Sequence, residues 1–165
     1  MHETQKIVIN TGPILALIAG FDNLKILQFL YKKVIVPYEV CQEIFAGGSS
    51  GFGINEFNDA DFLNKIDKPI FIRPHLRNSL DLGESSVIQT AIDNKIQTVC
   101  IDEAVGRRVA RLNELKLTGS IGIMIKAKQK GYSFIMNDVI NKMRSKGIWI
   151  SERLINTALK QVEGL

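Results

Sequence analysis

Histidine is nearly missing from this chain, with only His2 and His75 present. His2 sits at the terminus, and His75 follows Pro74 in an expected loop. A Ser-His-Asp or Cys-His nucleophilic site therefore lacks a convincing base. Cysteine is equally scarce: Cys41 and Cys100 lie among apolar neighbours and form no Cys-x-x-Cys pair. Buried, reduced thiols are expected rather than a zinc site or a disulfide framework. No apolar run approaches the roughly 20 residues that a helix needs to cross a bilayer. The start, Met1-His2-Glu3-Thr4-Gln5-Lys6, leads into a short apolar strand with no secretion-type apolar region after it, so a cytoplasmic protein with no membrane partner is expected. A dinucleotide fingerprint is absent, because Thr11-Gly12-Pro13 is no Gly-x-Gly-x-x-Gly. The glycine-rich stretch Gly47-Gly48-Ser49-Ser50-Gly51-Phe52-Gly53 follows a helical pattern, and no Gly-Lys-Ser/Thr comes after it. It is read as a mobile surface loop rather than a phosphate-binding one.

What is present suits one domain spanning residues 1–165, long enough for a single substantial core. Hydrophobic residues at 45% and charged residues at 23% are ordinary globular usage and argue against disorder. The net charge of +4 suits a polyanionic partner such as RNA or DNA without requiring one.

Three runs are apolar throughout rather than alternating: Ile7-Val8-Ile9, Val34-Ile35-Val36 and Val99-Cys100-Ile101. Their β-branched content favours strands, and their continuous apolar character predicts burial on both faces of a parallel sheet. Helical patterns follow at residues 13–19 and 24–31, at 37–45, and at 103–115. A fourth strand is expected at residues 70–73 and a short fifth near Leu117. Repeated strand–helix units predict an α/β fold with helices on both sides of an open parallel sheet of about five strands. The C-terminal third reads as a helical extension. Residues 121–130 end at Gly131, residues 134–146 end at Gly147, and Ser151 caps a last helix carrying Leu154, Ile155, Ala158 and Leu159. These are packing helices, and the last one offers a subunit or partner surface.

Ligands of open parallel sheets gather beyond the carboxyl ends of the strands. The first strand ends at Asn10-Thr11-Gly12-Pro13, and the second leads into a helix bearing Glu39 and Glu43. The third ends at Asp102-Glu103, and a further helix begins at Asp81-Leu82-Gly83-Glu84. Each residue has a plain structural reading. Asp102 is a natural N-cap, Asp81 and Glu84 have capping-box spacing, Glu43 and Glu39 suit a solvated helix, and Asn10 suits a turn. Converging carboxylates repel and raise one another's pKa, a cost that a divalent cation relieves. Oxygen-only donors without His or Cys fit Mg²⁺ or Mn²⁺, which polarise a phosphodiester and generate hydroxide. A signalling receiver site needs paired acids after the first strand, and this strand ends in Asn10-Thr11.

These strand-end residues carry a resemblance. The chain resembles the PIN-domain superfamily, and more closely its DUF3368 branch of small prokaryotic proteins. The matching stretches are Ile7-Val8-Ile9-Asn10-Thr11-Gly12-Pro13, Val36-Pro37-Tyr38-Glu39-Val40-Cys41-Gln42-Glu43-Ile44 and Leu80-Asp81-Leu82-Gly83-Glu84-Ser85-Ser86. Ile101-Asp102-Glu103-Ala104-Val105-Gly106-Arg107-Arg108, Thr118-Gly119-Ser120-Ile121-Gly122 and Gly147-Ile148-Trp149-Ile150-Ser151 follow in order. The resemblance implies a three-layer α/β/α sandwich. It also implies a metal-dependent ribonuclease related to the toxins of toxin–antitoxin pairs, with RNA as substrate and a small antitoxin or a second copy as partner. By position, Glu43, Glu84 and Asp102 would be the metal-binding acids, with Glu103 as an additional one and Thr11 positioning phosphate or water. One departure stands out: such enzymes usually end the first strand with Asp, and here the residue is Asn10. An amide offers a carbonyl oxygen but no charge. The alternative is therefore a catalytically weak or inactive module that binds nucleic acid or a protein partner. Arg107 and Arg111, one turn apart with Arg108 adjacent, either meet phosphates or form a solvated basic face paired with Glu114. Trp149, the only tryptophan, is expected to pack in the core or an interface.

Overall fold

The structure is a computed structural model in which residues 5–47 and 50–165 are described. His2 and part of the expected mobile loop, Gly48 and Ser49, lie outside the described residues.

Five strands form one sheet: β1 (Lys6–Ile9), β2 (Lys33–Val36), β3 (Asn64–Lys65), β4 (Thr98–Cys100) and β5 (Lys116–Thr118). Their order is β3-β2-β1-β4-β5, and every pairing is parallel. The apolar runs explain the centre. Ile7, Val8, Ile9, Val34, Val36, Val99 and Cys100 are all essentially sealed from solvent. Parallel strands need long crossovers, and these are the helices. They are α1 (Thr11–Phe21), α2 (Lys25–Leu30), α3 (Tyr38–Ala46), α4 (Ile54–Asp59), α5 (Pro74–Arg77), α6 (Leu82–Asp93) and α7 (Ala104–Leu112). The C-terminal helices are α8 (Ser120–Gln129), α9 (Met136–Ser145) and α10 (Glu152–Gln161). The result is the expected three-layer α/β/α arrangement. Helix α6 lies against β1 and β4, α9 packs on α1, and α10 packs on α8 and α9.

The chain starts in the middle of the sheet, runs outward through β2 and β3, and then returns to the other side of β1. Winding reverses between β1 and β4, the place where a crevice opens at the carboxyl ends of the strands. Asn10 sits at that point, its N–H donating to the Cys100 carbonyl at 3.0 Å.

One strand was expected elsewhere. Residues 70–73 make no ladder, because side chains take their backbone donors. Ile70 N–H donates to Glu39 Oε2 at 3.2 Å, and Arg73 N–H to Gln89 Oε1 at 3.0 Å. Phe71 is 78% exposed, so this stretch has no cover of the kind a central strand needs. The edge beside β2 goes instead to Asn64–Lys65, paired with Ile35 and Val36.

The C-terminal helices stand where the periodicity predicts. Ser151 Oγ accepts from Leu154 N–H at 3.1 Å, while Gly131 and Gly147 follow their helices with φ of 95° and 90°. Trp149 does not pack in the core: it is 84% exposed. It lies in the extended link between α9 and α10, where alternate side chains face opposite ways. Ile148 and Ile150 turn toward the core, so Trp149 turns out.

Candidate functional site

Asn10 is the N-cap of α1, yet its side chain makes no capping bond. A cap side chain normally accepts from the second or third helical N–H. Here the third position is Pro13, which has none. The Asn10 side chain is 5% exposed, and its Oδ1 is buried without a hydrogen-bond partner. Thr11 Oγ1, in the first turn of the same helix, is likewise buried and unpartnered. Leaving such a group unmade costs about 1–3 kcal/mol. Two of them side by side at the sheet's switch point need a reason beyond packing.

Glu43 lies in the last turn of α3 with its side chain exposed. Helix α3 packs on α6, and the meeting point is Gly83, the second residue of α6. A Cβ placed on Gly83 would lie 3.2 Å from Asn10 Oδ1 and 3.3 and 3.5 Å from the Glu43 carboxylate oxygens. Amide and carboxylate thus face one small space that a glycine keeps open. Glu39, one turn earlier on α3, is buried and accepts from Ile70 N–H, so it is a clamp on the 70–73 segment and not a solvated residue.

Glu84 follows Gly83 and closes a capping box. Glu84 N–H donates to Asp81 Oδ1 at 2.8 Å, and Asp81 N–H donates to Glu84 Oε1 at 3.4 Å. The structural reading of that spacing therefore holds. Glu84 Oε2 points elsewhere, lying 3.1 Å from where a Cβ on Gly106 would stand. Burial, then the neighbouring Asp81 charge, raise its carboxyl above the usual range; the Asp81 N–H bond opposes this, and Glu103 adds to it. Glu103 is the exposed N-cap residue of α7.

Asp102 is exposed between β4 and α7, and it does not cap the helix that follows it, since Glu103 holds that place. It caps a different helix. Ser120 N–H donates to Asp102 Oδ1 at 2.8 Å, and Ser120 Oγ–H donates to Oδ2 at 3.0 Å. A Cβ on Gly119 would fall 2.6 Å from Asp102 Oδ1 and 3.1 Å from Arg107 Nη1. Arg107 turns Nη1 inward onto the Ile101 carbonyl at 2.8 Å and the Thr118 carbonyl at 3.3 Å, tying the ends of β4 and β5 together. Arg108 and Arg111 stay exposed on α7.

Asn10, Thr11, Glu43, Glu84, Asp102 and Glu103 thus line the carboxyl-end region, but not as one ready ligand group. Among the described residues, no three His, Cys, Asp or Glu side chains stand together so as to hold a metal ion. Ser120 draws Asp102 toward α8, the capping box holds one Glu84 oxygen, and Glu43 is matched with an amide.

Sequence reasoning missed Gly83, Gly106, Gly119 and Ser120. The first two carried a signal. Glycine inside a helix costs roughly 0.5–1 kcal/mol relative to alanine, so its presence there marks a close approach. The Asp102–Ser120 pairing, 18 residues apart in the chain, carried none.

A parallel sheet that reverses at β1 and β4 makes this an α/β protein, with acids and a buried, unpartnered amide oxygen at the reversal, where ligands of such sheets gather. The family model for DUF3368, a PIN domain, matches residues 6–164, and the chain belongs to that family. PIN domains are generally nucleases and typically use divalent metals. No curated protein and no solved structure matches the chain.

Proposed function

We propose that this chain is a Mg²⁺- or Mn²⁺-dependent endoribonuclease, acting as the toxin of a toxin–antitoxin pair in the cytoplasm. Its partners in this reading are RNA, a small antitoxin and a second copy of the chain. The observation that carries the reading is the buried, unpartnered Asn10 Oδ1 sharing a glycine-lined space with the Glu43 carboxylate. Carboxylate, amide and hydroxyl oxygens are the donor set that hard divalent cations take. Glu84, Asp102 and Glu43 would hold the ion, with Asn10 adding a neutral carbonyl oxygen and Glu103 within electrostatic reach of Glu84. When bound, such an ion polarises a phosphodiester and makes water a better nucleophile.

The chain's own groups supply the rest. Burial, then the Asp81 charge, raise the Glu84 carboxyl, so a bound divalent cation would offset the cost of keeping it ionised there. Thr11, in the first turn of α1, adds a hydroxyl beside Asn10 for phosphate or water. Arg108 and Arg111 are the exposed guanidinium groups of α7 and suit phosphate contacts, while Arg107 holds the strand ends.

The test is RNA cleavage with Mn²⁺, comparing wild type with Asp102→Ala and Glu84→Ala. Each variant should lose roughly a hundred-fold or more in rate. Full activity in both would show that the site is elsewhere.

A second reading, a non-catalytic PIN-like binding module, is favoured by one observation: the side chain that shares the Gly83 space with Glu43 is the neutral amide of Asn10 where such enzymes usually carry Asp, so that space is one carboxylate short. Asn10→Asp separates the readings. Cleavage that appears only in that variant, or RNA binding with a steep salt dependence and no cleavage in either form, would establish binding as the function.

A further inference from the structure

We propose that Ser120 is a positioning residue for the candidate site, acting through Asp102; this rests on the metal-dependent reading above. Asp102 is exposed on the link between β4 and α7, where an aspartate side chain is free to sample several rotamers. Ser120 removes that freedom. Its backbone N–H takes Oδ1 at 2.8 Å and its hydroxyl takes Oδ2 at 3.0 Å, so both carboxylate oxygens are held by one residue. Hydrogen bonds to a charged acceptor are the strong kind. The N-terminus of α8 also favours an anion there.

Two neighbours show that the arrangement is built for this approach. Gly119 leaves the space that a Cβ would fill at 2.6 Å from Oδ1. Ser120 is 5% exposed, and its hydroxyl donates to Asp102 Oδ2. A buried serine hydroxyl spent on an exposed carboxylate orders that carboxylate. A plain helix cap would need only the backbone N–H, and that bond survives loss of the hydroxyl.

The prediction follows from that difference. In the full chain, Mn²⁺ affinity is measured by electron paramagnetic resonance of the free ion, with the melting temperature recorded beside it. Ser120→Ala keeps the N–H bond and loses the hydroxyl bond. It should melt close to wild type, yet bind Mn²⁺ roughly ten- to a hundred-fold more weakly, the usual effect of losing a bond that orients a metal ligand. Ser120→Thr restores the hydroxyl and should recover most of the affinity. Wild-type affinity in Ser120→Ala, alongside weakened binding in Asp102→Ala, would overturn the positioning role and leave the metal reading standing. So would an affinity loss that Ser120→Thr fails to recover. Unchanged binding in Asp102→Ala, or no Mn²⁺ binding by wild type, would overturn the metal reading and this inference with it.

Discussion

Gly83→Ala probes the point where Asn10 and Glu43 come together. The position is helical with no positive φ, so alanine brings no backbone strain and gains roughly 0.5–1 kcal/mol of helix propensity. Against this stands crowding. The new methyl would sit 3.2 Å from Asn10 Oδ1, which is buried and cannot swing away. It would also sit 3.3 and 3.5 Å from the oxygens of Glu43, which is exposed and can. Mild overpacking costs about 1 kcal/mol. The two effects nearly cancel, and the folded state should change by less than about 1 kcal/mol. For a chain of this size that is a shift of about 2–4 °C in Tm. Function should not escape so lightly. The methyl fills the space that Asn10 Oδ1 and the Glu43 carboxylate share and shifts the latter by a few tenths of an ångström, and misplacing a group of the candidate site to that extent should cost roughly ten-fold in cleavage rate. Thermal melts and Mn²⁺-dependent RNA cleavage by the same preparation give the two readouts. Cleavage at the wild-type rate would show that the Gly83 space is not part of the site. A Tm loss of more than about 10 °C would show that the cancellation is wrong and that Gly83 serves the core.

Two further predictions concern charge. Burial and the Asp81 charge raise the Glu84 carboxyl, so folding favours its protonated form, and the stability this gives is complete below glutamate's ordinary value of 4.5 and lost as pH rises through the raised one. Glu84→Gln is permanently neutral and can still accept the Asp81 N–H at Oε1. Urea melts should therefore find it more stable than wild type at pH 7 and equal to it near pH 4, while Mn²⁺-dependent cleavage is lost; a less stable variant at pH 7 would refute this. Asp22 has the opposite sign. Lys142, then Lys146 at 3.0 Å, hold its carboxyl below the usual range, so its contribution is present above the ordinary value of 3.8 and fades as pH falls through the lowered one. Both lysines and Asp22 are substantially exposed, so Asp22→Asn should cost less than about 1 kcal/mol at neutral pH and still less in high salt. A salt-independent loss would contradict that assignment.

The sequence alone was enough for the layers. Uninterrupted β-branched runs such as Ile7-Val8-Ile9 suit strands covered on both faces, and the helical patterns after them supply the cover, so β1, β2 and β4 could be read directly. Local chemistry was legible too: the Asp81–Glu84 box and the Ser151 cap follow from spacing within a few residues. The location of the acids near the strand ends followed from topology. Their company did not. Residues 70–73 looked like a strand, and only packing brought Glu39 and Gln89 close enough to take their backbone donors. Asn10, Glu43 and Gly83 come from three elements, and their shared space exists because α3 packs on α6 at the end of β1. Asp102 looked like the cap of its own helix, yet it holds the start of α8, because β4 and β5 lie side by side and bring residue 120 to residue 102. Periodicity and caps act over a few residues and can be read along the chain. Which carboxylate meets an amide, a serine or open space is settled by distances between elements, which only the packed structure contains.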